Sequence, residues 1–129
     1  MIEKEKKHNL MESRDKAQLL GGWLVEKQAS EVIGLDVDGL CHITEALVIV
    51  SAKGVRHAQA LADSLLDRSG QENIEYLGME GYNAGGWILM DFNDVVVHIF
   101  QSEQRSLYNL EGLWAEADSV PMPGDGVDA

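Results

Sequence analysis

The apolar positions change period along the chain, and each change marks an element. Over residues 9–29, Leu10, Ala17, Leu20, Trp23 and Leu24 recur at roughly helical spacing and predict an amphipathic helix. Gly21-Gly22 interrupts it, at about 1 kcal/mol per glycine in a helix interior, so a break at Gly21 is open. Glu31–Val37 reads as a strand, closed by the turn signal Asp38-Gly39. Thr44–Ser51 is almost continuously apolar toward its end, the pattern of a central strand buried on both faces. Val55–Ser69 returns to helical spacing, with Val55, Ala58, Leu61, Ala62, Leu65 and Leu66 on one stripe and Gly70 as the expected C-cap.

Three strands are predicted next: Ile74–Met79, Trp87–Phe92 and Val95–Phe100. A turn-rich stretch, residues 81–86, links the first two, and Asn93-Asp94 links the last two. Asn tolerates the left-handed backbone of a two-residue hairpin turn. A short helix is expected over Glu103–Trp114, where Leu107, Leu110 and Leu113 repeat at spacing three. Residues 116–129 hold both prolines, two glycines and four acids, and are expected to be a disordered acidic tail. The order α-β-β-α-β-β-β-α predicts an α/β fold: a mixed β-sheet with helices packed on it.

Alternation sorts the side chains of Trp87–Phe92. Ile88, Met90 and Phe92 share one face, purely apolar, which belongs in a core. Trp87, Leu89 and Asp91 share the other. An aromatic, an aliphatic and a carboxylate together have the makeup of an interface patch. Burial of Trp87 beneath a neighbouring helix is the equally open alternative.

Composition narrows the partner. The chain of 129 residues is the size of one domain, with 45% hydrophobic and 25% charged residues. Its net charge of -12 is unevenly spread: residues 1–30 carry six bases and five acids, whereas residues 31–129 carry four bases and 17 acids. A phosphate backbone or an anionic membrane surface would repel that second region, which argues against nucleic acid as a main source of affinity. A basic protein partner fits, because opposite fields steer encounter. Solubility alone is the plainer reading of the same charge. One cysteine, Cys41, leaves no internal disulfide. No apolar run is long enough for a membrane span, and residues 1–8 lack the apolar stretch of a secretory signal, so a cytoplasmic location is expected.

The search for an active site yields one candidate. Asp36-Val37-Asp38 spaces two carboxylates as a divalent-metal pair would need, with Asp91 as a third ligand. Leu20-Gly21-Gly22 upstream resembles the glycine pair of nucleotidyltransferases. Against this, Gly39 follows Asp38 where a hydrophobic strand residue is wanted, the glycines fall inside a helix, and no base nearby is placed to hold a triphosphate. A strand ending in an Asp-Gly turn explains the same residues. His8, His42, His57 and His98 are scattered, without the helical spacing of a metal pair. His98, in an apolar strand, reads as a core histidine with one hydrogen bond. No pattern orients Cys41 and His42 toward each other. No cofactor or metal site is expected.

Trp87–Phe100 (WILMDFNDVVVHIF) resembles the central signature of the Iojap-like ribosomal silencing factors, and Arg105–Trp114 (RSLYNLEGLW) resembles their C-terminal signature. Leu35–Leu40 with Ile43-Thr44, Arg56-His57 and Glu80-Gly81 fall in register with the same family. The similarity spans about residues 13–115, leaving residues 1–12 as a charged N-terminal extension. Departures stand at turns: Cys41-His42, Asn93 and Ser51-Ala52-Lys53. The resemblance implies a nucleotidyltransferase-like fold without the activity. It also implies a protein that binds the large ribosomal subunit through large-subunit ribosomal protein fourteen. There it would block joining of the small subunit and repress translation. By resemblance the contact falls on Trp87, Asp91 and Leu89, with Glu80 and Tyr82 as weaker candidates. Arg105, Tyr108, Glu111 and Trp114 match the family too, and a packed C-terminal helix explains them at least as well. A homodimer through the exposed sheet face is compatible with this reading.

Overall fold

A computed structural model describes residues 11–123. The elements are α1 (Ser13–Glu26), β1 (Ser30–Asp36), β2 (Ala46–Ala52), α2 (Val55–Gln71), β3 (Gly78–Glu80), β4 (Trp87–Asp91), β5 (Val95–Gln101), α3 (Ser102–Tyr108), α4 (Leu110–Leu113) and β6 (Asp118–Val120). The strands form one mixed sheet in the order β3-β4-β5-β2-β1-β6. Only β2 and β5 pair in parallel; the other ladders are antiparallel. All seven residues of β2 are buried, as its apolar run predicts for a central strand.

The two faces of the sheet are covered differently. On the first, Ala17, Leu20 and Leu24 of α1 and Leu61 and Leu65 of α2 pack on Val48, Val50, Ile88, Met90, Val97 and Ile99. On the second, Leu35, Leu47, Ile49, Val96 and Phe100 lie under the small cover of α3 and α4, through Leu110 and Trp114. Alternation along each strand divides the residues between these cores.

The pair Gly21-Gly22 does not break α1, which runs through both. Its role is spatial: a Cβ on Gly21 would overlap the Met122 sulfur, and one on Gly34 of β1 would overlap the Met122 methyl. The two glycines form a slot, and Met122 fills it. The same contact corrects the expectation of disorder over 116–129. Asp118–Val120 pairs antiparallel with β1, and Val120 and Met122 are buried. Residues 124–129 of that tail, and residues 1–10 of the charged extension, lie outside the described residues.

Three further boundaries differ from expectation. Helix α2 continues past Gly70, and the left-handed residue that follows it is Asn73 (φ 62). The strand expected over Ile74–Met79 is confined to Gly78–Glu80, because Ile74 and Tyr76 pack inward without joining a ladder. Tyr76 meets Phe92 at 5.6 Å between ring centroids. The helix expected over Glu103–Trp114 is split at Asn109 (φ 47), whose side chain accepts from the Gly112 N–H and starts α4.

A buried ion pair fixes α1 to the β4–β5 turn. Lys16 is fully buried and donates to the Phe92 carbonyl (3.1 Å) and to the Asp94 carboxylate. Asn93, with φ 78, supplies the left-handed turn expected of it.

Candidate docking surface

The residues singled out on β4 project as alternation predicts. Ile88, Met90 and Phe92 are completely buried, and Trp87, Leu89 and Asp91 are half-buried on the second face. Register then assembles their neighbours. Leu89 pairs with His98 of β5 on one side and Glu80 of β3 on the other. Trp87 pairs with Phe100, and Asp91 lies between Val96 and Gly78. Directly paired residues point to one face, so Glu80, Leu89 and His98 form a row beside Trp87 and Phe100. Glu80, Gly81, Trp87 and Leu89 line a shallow hollow at the sheet edge.

Aromatic contacts hold Trp87. Its ring stacks on Phe100 at 4.9 Å and meets Tyr108 of α3 at 4.6 Å. Its Nε1–H donates to Nδ1 of His98 at 3.0 Å. His98 is 7% exposed, and burial lowers its pKa from 6.5 to about 4, so the imidazole is neutral near pH 7. Asp91 uses Oδ1 to accept from the Asn93 N–H at 2.8 Å. This fixes the turn and leaves Oδ2 with no hydrogen bond from the described residues. Glu80 is exposed. The surface is thus an apolar strip of Trp87 and Leu89, flanked by two carboxylates.

Tyr82 is not part of it. Gly81 takes φ 84 at the end of β3, and the chain turns toward α2. There the Tyr82 hydroxyl lies 3.1 Å from both carboxylate oxygens of Asp63, which raise its pKa by hydrogen bonding. Gln59 donates to the Tyr82 carbonyl at 2.9 Å. Tyr108, which a packed helix also explained, joins the surface instead: its ring meets Trp87 at a tilt and is 51% exposed. Its spacing within the predicted helix carried no signal of that contact. Arg105 does pack. It donates through Nε to Glu111, with which it forms an ion pair, and through Nη1 to the Glu31 carbonyl and the Ser51 hydroxyl, and so clamps α3 and α4 to the sheet.

The candidate metal pair does not assemble. Asp36 Oδ2 is bound by Arg14 at 2.7 Å, and its Oδ1 accepts from the Asp38 N–H at 3.1 Å. Arg14 thus supplies a base beside Asp36 that the sequence order did not suggest, and it neutralises the carboxylate. Asp91 lies three ladder spacings away, about 14 Å, on the opposite face. Among the described residues no group of three His, Cys, Asp or Glu side chains is placed to hold a metal ion. Cys41 accepts from the Ile43 N–H at 3.4 Å, and no hydrogen bond joins it to His42. No helix among the described residues is long and apolar enough to cross a membrane.

The comparisons with known proteins agree with the signature residues. A family model described as "Ribosomal silencing factor during starvation" matches residues 10–128. The ribosomal silencing factor RsfS of Halalkalibacterium halodurans is 33% identical over 88% of this chain and 97% of its own. A crystal structure of a Chromobacterium violaceum protein superposes with a TM-score of 0.78 at 28% identity, covering 81% of this chain and 88% of that one. A more distant mouse protein, 28% identical over 74% of this chain and 43% of its own, is named "Mitochondrial assembly of ribosomal large subunit protein 1". The chain belongs to the ribosomal silencing factor family.

Proposed function

We propose that this chain is a non-catalytic translation repressor that binds the large ribosomal subunit and sterically blocks joining of the small one. Its contact is large-subunit ribosomal protein fourteen, a basic protein, met by Trp87 and Leu89 with Glu80 and Asp91 at the rim. The observation that carries this is the half-buried Trp87–Leu89 strip set between two carboxylates on the thinly covered face of the sheet. An aromatic anchor supplies the binding energy, and the acids select a basic partner while repelling the surrounding RNA. The family assignment and the name of the mouse relative support the choice of the large subunit. We place this action in the cytoplasm.

The test is reassociation of purified subunits followed on a density gradient. The protein comigrates with large subunits and lowers the yield of joined ribosomes. Unchanged assembly with no comigration sinks the proposal. Trp87→Ala lowers binding by about 2 kcal/mol, roughly thirtyfold. Circular dichroism on the same sample checks that the domain remains folded. A homodimer through this face would compete with the ribosome, and sizing before and after mixing with protein fourteen reads that competition.

A further inference from the structure

We infer that His98 is the positioning residue of the docking surface: by accepting the Trp87 indole N–H it fixes the ring, so that the partner meets an apolar aromatic surface and not a hydrogen-bond donor. This rests on the docking reading above and adds a specific mechanism to it.

The geometry has three parts. Nδ1 of His98 accepts from Nε1–H of Trp87 at 3.0 Å. An accepting Nδ1 requires a neutral ring with its proton on Nε2. Burial meets that requirement near pH 7, as the lowered pKa of His98 shows. Second, His98 itself is packed, at 7% exposure. It sits in β5, opposite Leu89 of β4 and Ile49 of β2, and its ring lies nearly parallel to that of Phe100 (13°, 6.1 Å). Third, Trp87 is a half-exposed ring with two rotatable bonds, and among the described residues His98 is the acceptor its N–H finds. Turning the indole outward would break that bond and the 4.9 Å stack on Phe100 together.

An anchor already ordered loses less freedom on binding. Its polar atom is also already satisfied, so the partner need supply no acceptor for it. The chemistry left for recognition is an apolar pocket for the ring, with bases facing Glu80 and Asp91.

The bond can be read in the wild-type protein. With nitrogen-15 labelling, an N–H···N bond gives a coupling between Trp87 Nε1 and His98 Nδ1, assigned by its loss in Trp87→Phe. Its absence overturns the inference. His98→Phe keeps an aromatic ring but removes the acceptor; His98→Asn restores an acceptor close to the position of Nδ1. In His98→Phe the Trp87 indole resonance shifts and exchanges faster with solvent, and affinity for purified large subunits falls about tenfold. His98→Asn recovers part of both. If His98→Phe does not fold, the wild-type coupling and His98→Asn still decide. A shifted indole resonance with wild-type affinity overturns the positioning role. Wild-type protein that fails to bind large subunits overturns the docking reading and the docking role of His98 with it, while the coupling still decides whether His98 holds the ring.

Discussion

The two faces of one strand make the most useful comparison in this molecule. Ile88 and Met90 of β4, with Phe92 just after it, lie beneath α1 and α2, helices of 14 and 17 residues, and are completely buried. Trp87, Leu89 and Asp91 of the same strand lie beside α3 and α4, of seven and four residues, and are half-buried. Trp87 and Leu89 are as apolar as the core residues that alternate with them. The length of their cover decides which becomes core and which stays available. The short helices reach Trp87 only through Tyr108 of α3, which leaves the ring partly open for the anchor role proposed for it.

That contrast can be broken at its core side first. Phe92→Ala should cost about 3–5 kcal/mol in urea unfolding, and Leu89→Ala about 1 kcal/mol. Equal costs would make the second face ordinary core. Next comes pH. His98 is neutral in the fold, with a pKa of about 4, and titrates at 6.5 when unfolded. Its contribution is therefore full above pH 6.5. Between pH 6.5 and 4 the unfolded chain binds more protons, so stability is lost as pH falls, by on the order of 3 kcal/mol in all. The same titration of His98→Phe should fall less steeply across that window. Met122→Ala empties the glycine slot on the helix side and should cost about 2 kcal/mol, with Trp87→Ala costing less stability than binding. The smallest effect belongs to the rim. Glu80→Gln should change affinity by less than about 1 kcal/mol and weaken the salt dependence of association with large subunits.

The sequence was most readable where one period held over a whole element. The apolar run of β2 announced a strand buried on both sides, and the alternation of β4 announced its two faces. It was least readable where a side chain's partner lies far along the chain. Val120 and Met122 are isolated apolar residues in a proline-containing acidic stretch, so no local period marks them. Only the slot made by Gly21 and Gly34 explains their burial. Ile74 and Tyr76 alternate like a strand because they pack inward, and the backbone between them forms no ladder. Within the surface, the shared face of Trp87, Leu89 and Asp91 followed from alternation, whereas Glu80 was named through the family resemblance and only the strand register sets it beside Leu89. Tyr82 did not, because Gly81 at positive φ turns the chain between Glu80 and Tyr82 to the other side. Its pairing with Asp63, like the Trp87–His98 bond and the Trp87–Tyr108 ring contact, is a tertiary contact that spacing alone does not encode.

The placement of β6 bears on how the protein is made. Synthesis runs through α1, β1 and every other described helix and strand before it reaches Asp118–Val120. Until those residues leave the exit tunnel, the outer edge of β1 has an open row of backbone donors and acceptors, and the groove at Gly34 is empty. A nascent chain paused before that point carries a sheet able to recruit any passing strand. Closing this edge therefore waits until every other described strand has been made, in a protein whose family is named for silencing the ribosome.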